Sequence, residues 1–201
     1  MCSHYEAPDA ARFEQAFGIP GPAGAQLELW PGYPGPFVRM EEGVLQAATG
    51  IFGLLPHWAK DATLARRTYN ARSETAASKP SFRAAWRDAR HCIIPAVAIY
   101  EPDWRSGKPV PTRITRSDGG LLLIAGLWER WLDPAGELVH SFSMLTVNAD
   151  DHPLMNQFHR PEKEKRMVVI LPSGSARDWL LASANESGDF LRQYPADRLC
   201  A

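Results

Sequence analysis

Position 2 of this chain is a cysteine directly behind the initiator methionine. Aminopeptidases remove an initiator Met when the next residue is small, and Cys2 then carries a free α-amine and a thiol two carbons apart. That aminothiol condenses with one aldehyde: the amine forms an imine and the thiol closes on it as a thiazolidine ring. The ordinary pKa values, about 7.7–8.0 for the amine and about 8.5 for the thiol, lie close enough to neutrality for modest shifts to activate both. A cysteine at position 2 is also an ordinary residue on a frayed terminus, so its meaning depends on its company. Asn70 opens the segment Asn-Ala-Arg-Ser-Glu-Thr (70–75), polar enough to line a site, although a helix N-terminus or turn satisfied by its own side chains is the plainer alternative. Glu101 ends the apolar run 92–100 and precedes Pro102. Burial there would raise its pKa and suit a proton donor, whereas a strand-end carboxylate facing water is the plainer alternative. His159 follows Phe158 and starts the run Arg160 to Arg166; an imidazole can transfer protons, or can simply sit in a charged surface loop. Cys92, inside an apolar run, reads as a small core residue.

These positions need a scaffold, and the pattern supplies one. Residues 8–18 read as a short helix with Pro8 near its start, Phe13 and Phe17 on one face and Gly18 as its stop. Residues 19–36, rich in Pro and Gly, form an irregular connection. Residues 37–54 read as two strands around the turn Glu41–Gly43, and 56–78 as a long polar surface loop. Lys79–Ala89 reads as a helix capped by Ser78, with Phe82 and Trp86 on one face. Four strands follow, separated by the turns SDGG and DPAG, as an antiparallel meander. A helical turn near 152–158, a charged loop, the strand MVVIL and helices at 173–183 and 187–193 complete the chain. Strand runs punctuated by helices predict an α+β fold. The expectation is one domain over 1–201, with a mainly antiparallel sheet or barrel core flanked by a few helices.

Composition removes several function classes. The 201 residues, 45% hydrophobic and 22% charged, suit one globular core. There is no run of eighteen apolar residues and no secretory signal in MCSHYEAPDA, so a cytoplasmic protein is expected. Three cysteines are too few for a disulfide framework. A net charge of −1 shows no overall basic excess for nucleic acid, although Arg66, Arg67 and Arg72 cluster, as do Arg83, Arg87 and Arg90. Neither a phosphate-binding glycine loop nor a metal-ligand spacing occurs, so no metal or cofactor is assigned.

Taken in order, the motifs resemble the SRAP family, the SOS-response-associated peptidase proteins. The resemblance rests on Met1–Cys2, GLLPHW (53–58), NARSET (70–75) and the helix with Phe82 and Trp86. It continues in RHCIIPA (90–96), Tyr100–Glu101, AGLWE (125–129), and Phe158–His159 with Arg166–Met167. It implies a sensor of abasic sites in single-stranded DNA that caps the lesion through a covalent DNA–protein crosslink. By that resemblance the Cys2 amine attacks the sugar aldehyde and its thiol closes the thiazolidine. His159 protonates the ring oxygen, Glu101 manages proton transfer at the imine, and Asn70 holds the amine and sugar. Arg72 pairs with a phosphate, Trp58 stacks on or beside a base, and His4 stands in for an arginine. Self-removal of Met1, a lyase side activity, a monomeric state and association with the bacterial nucleoid on DNA are implied too.

The chain departs from the family pattern in three places. Cys2 is followed by Ser3–His4 where Gly-Arg is usual. Val97–Ala98 stand where the family has Asp-Gly, and the usual His-x-Arg-Met-Pro is stretched between His159 and Arg166. Two other functions fit the same residues: an amidohydrolase using Cys2 as an N-terminal nucleophile, and a noncovalent module that binds single-stranded DNA.

Overall fold

The computed structural model describes residues 2–24 and 26–201. Its first strands are β1 (Tyr5–Glu6), β2 (Glu28–Leu29), β3 (Pro34–Glu41), β4 (Val44–Phe52), β5 (Asn70–Arg72) and β6 (His91–Ala96). The remainder are β7 (Ala98–Asp103), β8 (Val110–Arg116), β9 (Leu122–Leu132), β10 (Leu138–Asn148), β11 (Arg166–Val168) and β12 (Leu199–Cys200). Five short helices decorate them: α1 (Ala10–Phe17), α2 (Ala65–Thr68), α3 (Ser73–Ala76), α4 (Arg83–Arg87) and α5 (Ala176–Leu181).

Strands β10, β4, β3, β6 and β9 pair in that order, and β9 pairs back to β10, so the sheet closes into a five-stranded barrel. The sequence reading of an α+β domain with a sheet or barrel core describes this fold. The pairing is not antiparallel throughout, because β10 runs parallel to both β4 and β5. A meander cannot produce that closure. It requires β10 to return across the sheet and meet an early strand, a long-range pairing with no local signature. Inside, Phe37, Phe52 and Phe142 are fully buried, and Phe142 lies 5.6 Å from each of the other two. Close strand approach needs Gly126: a Cβ there would fall 2.2 Å from Ile94 Cδ1 and 2.6 Å from the Ser143 carbonyl oxygen.

A second sheet, ordered β12-β8-β7-β1-β2, leans on the barrel. The apolar run 91–101 feeds both sheets, changing from β6 to β7 at Val97, whose N–H donates to the Glu6 carbonyl at 2.7 Å. Helix α1 starts at Asp9, whose side chain accepts from Arg12 N–H, and stops at the left-handed Gly18. Several expectations need correction: residues 19–36 include β2 and the start of β3, and in place of the helix expected at 187–193 there is a 3-10 turn over Ser187–Phe190. Residues 56–78 are not one loop but contain α2, β5 and α3, because the parallel partner β10 rather than local periodicity makes β5 a strand. Helix α4 begins at Arg83, and Ser78 does not cap it; the Ser78 hydroxyl donates instead to the Thr75 carbonyl at 3.1 Å.

Candidate active site

The register of the second sheet brings the N-terminal segment beside Glu101. Tyr5 lies opposite Ile99 in the antiparallel β1–β7 pair, and Tyr100 N–H donates to the His4 carbonyl at 2.9 Å. Cys2 is fully buried, and its Sγ–H donates weakly to the His4 carbonyl at 3.4 Å. Burial pushes its thiol far above the ordinary range, and the charge of Glu101 adds to the effect.

Asn70 arrives from the other direction. Parallel pairing opposite Met144 of β10 sets it at the start of β5, and its Nδ2 donates to the Cys2 carbonyl at 2.8 Å. The same amide keeps Oδ1 as a buried acceptor beside Cys2, with no donor among the described residues. The rest of the polar segment divides its work. Glu74 accepts both Nη1 and Nη2 of the buried Arg166, each at 2.9 Å, which fastens α3 to β11.

His159 reaches the site because the segment ahead of it bridges the end of β7. Phe158 pairs with Asp103, and His159 N–H donates to the Pro102 carbonyl at 2.8 Å. Its Nε2 lies 3.0 Å from Glu101 Oε2, whose side chain is 1% exposed. A carboxylate this buried needs such a partner. The backbone at His159 is left-handed, with φ of 62°.

Arg72 and His159 border one cleft of about 420 Å³, together with Tyr69, Trp104, Arg160, Lys163, Glu164 and Arg166. Its cations suit a phosphodiester chain and its aromatics an unstacked base. Tyr69 is half buried, and its phenol is pushed upward by that burial first and then by the charges of Cys2 and Glu101. Arg160 caps the Trp104 ring at 4.7 Å. Arg72 is held by Glu164 at 2.7 Å. Sequence reasoning did not single out Tyr69, Trp104 or Lys163. The one available signal was the run of cations alternating with acids across 160–166, which covers Lys163 but neither aromatic.

Two of the expected DNA contacts, Trp58 and His4, do not line this cleft. Trp58 is 47% exposed and borders a separate cleft of about 520 Å³ with Lys60, Arg66 and Arg67. His4 is sandwiched between Trp30 and Tyr100, 4.2 Å from each ring, and its Nε2 is taken by the Glu28 carboxylate.

This barrel, with a buried cysteine at position 2 whose carbonyl accepts from Asn70 of β5, defines a class. The family model described as SOS response associated peptidase (SRAP) matches residues 1–201, and the chain belongs to that family. Over 153 residues, 73% of this chain, it is 36% identical to a Bacillus subtilis protein named abasic site processing protein YoqW. The match spans 63% of that relative's length, so the chain covers less than two thirds of it. A Xenopus tropicalis protein, abasic site processing protein HMCES, is 30% identical over 64% of this chain and 43% of its own. Among solved structures, a Bordetella bronchiseptica protein superposes with a TM-score of 0.91 at 52% identity, covering 99% of this chain and 97% of that one. A Bacteroides thetaiotaomicron protein shares the fold, with a TM-score of 0.83 at 23% identity over 99% and 90% of the two chains. No helix among the described residues is long and apolar enough to cross a membrane.

Proposed function

We propose that this protein captures abasic sites in single-stranded DNA as a covalent adduct on Cys2, after loss of Met1. The observation that carries the reading is the convergence of Asn70 on Cys2 at 2.8 Å and of His159 on the buried Glu101 at 3.0 Å, beside a cationic, aromatic-lined cleft. The names of the curated relatives, abasic site processing proteins, support it.

The chemistry balances without a cofactor. His159 donates a proton to the sugar ring oxygen, the anomeric hydroxyl gives up its own, and the ring opens to the aldehyde. The Cys2 amine adds to the carbonyl carbon, and water leaves as the imine forms, with Glu101 carrying the protons. The thiol sulfur then bonds to the imine carbon while its proton passes to the nitrogen. One water is lost overall. Desolvation holds the thiol protonated until the imine provides the electrophile, so the amine acts first. Cleavage of the Met1–Cys2 peptide bond must precede all of this, and the family's description as a peptidase supports self-processing.

The test is an abasic single-stranded oligonucleotide incubated with protein whose intact mass shows Met1 absent. A heat-stable adduct that disappears in Cys2→Ala is expected. Absence of any adduct with the mature protein would sink the proposal, and turnover of a peptide reporter instead would favour the amidohydrolase. Salt-sensitive DNA binding unchanged by Cys2→Ala, without an adduct, would favour the noncovalent module.

A further inference from the structure

We propose that Lys165 is a positioning residue that fixes the backbone turn presenting His159 to Glu101. Its Nζ donates to three consecutive carbonyls: Phe158 at 2.8 Å, His159 at 3.2 Å and Arg160 at 2.9 Å. An ammonium has three N–H donors and no acceptor, and here all three are spent on one turn. These bonds are charge-assisted and therefore stronger than bonds between neutral groups. The turn they close is one an L-residue resists, since His159 has φ of 62°.

The lysine is itself anchored to the scaffold. Its backbone N–H donates to Asp150 Oδ1 at 2.8 Å, and its carbonyl accepts from Ala149 N–H at 2.8 Å. Arg166, next along the chain, is buried and clamped by Glu74. Lys165 is thus a fixed post at the far end of the stretched segment 160–165, reaching back over that segment to its beginning. On the other side, His159 N–H is held by the Pro102 carbonyl, next to Glu101 in sequence. The lengthened loop therefore brings its own fastening, and the imidazole keeps its place despite the added residues.

The inference rests on reading His159 as the proton donor that opens the sugar, so the test separates that step from later ones. Mature full-length protein, Lys165→Met and Lys165→Arg are each reacted with an abasic oligonucleotide and with an oligonucleotide carrying a linear aldehyde that needs no ring opening. Lys165→Met is expected to slow the abasic reaction by about 10- to 100-fold, to leave the linear aldehyde within about twofold, and to be partly rescued by Lys165→Arg. Equal slowing on both substrates, or none on either, overturns the proposal. Imidazole NMR resonances of His159 report the geometry independently of any adduct: they should move in Lys165→Met and return towards wild type in Lys165→Arg. Unchanged resonances also overturn it. If wild type forms no adduct with either probe, the proposed function fails, and the resonances alone decide the role of Lys165.

Discussion

The side-chain amide of Asn70 donates to the main-chain carbonyl of Cys2 at 2.8 Å, joining positions 68 residues apart. This bond holds the N-terminal segment where neither residue's own element would put it. Asn70→Ala is expected to leave a buried carbonyl unpaired, costing about 1–3 kcal/mol of stability, and to slow adduct formation more than it weakens DNA binding. Denaturant titration measures the first and single-turnover kinetics the second. Wild-type kinetics in this variant would remove Asn70 from the chemistry.

Glu101 and His159 should behave as a unit, because each is the other's partner at 3.0 Å. Glu101→Gln and His159→Ala are each expected to lower the rate by about 100-fold or more, and the double variant by little beyond the worse single. Multiplying effects would show that each contributes independently of their 3.0 Å contact.

The cleft's cations predict salt dependence. Each phosphate contact contributes about 0.7 to the slope of log affinity against log salt for a single strand, so Arg160→Ala and Lys163→Ala should each flatten the slope by roughly that amount. Glu164→Gln should act in the opposite direction, because its carboxylate already occupies Arg72. A gain of about two- to fivefold in affinity is expected, the range for an exposed ion pair. Fluorescence anisotropy across a salt series checks all three.

Acid sensitivity has a source away from the site. His91 is buried, hydrogen-bonded to the Ser187 hydroxyl at 2.9 Å and stacked on Trp179, and burial pushes its pKa down from 6.5 to about 4. The unfolded chain therefore takes up this proton below about pH 6.5 while the folded chain does not. The contribution is intact above 6.5 and is lost as pH falls towards 4, in total on the order of 3 kcal/mol. Thermal melts from pH 7 to 4 should show the decline, and His91→Gln should flatten it.

Backbone constraint is testable at Gly53, where the chain leaves β4 for the segment carrying Trp58. Its φ is 124°, and an added Cβ would sit 2.2 Å from the Ala65 carbonyl oxygen. Gly53→Ala is expected to cost about 3 kcal/mol or more, read by chemical denaturation. A variant as stable as wild type would contradict the packing described.

The sequence by itself determined which residue types are available for chemistry, the long strands of the barrel and the location of α1. A cysteine at position 2, alternating apolar runs and the Gly18 helix stop are all local facts. Ordered motifs also pointed to the family. Other features were settled only by tertiary structure. β5 exists because β10 pairs with it in parallel, and Val97 divides one apolar run between two sheets. Both depend on partners distant in sequence, which periodicity does not encode. The same limit applied to the site. Arg72, Arg66 and Arg67 look like one cluster in the chain, yet they border two clefts, because β5 turns Arg72 towards His159. His4, read as a substitute phosphate contact, has both ring faces and Nε2 engaged by Trp30, Tyr100 and Glu28. Residue type fixed what each group can do; long-range pairing decided which groups meet.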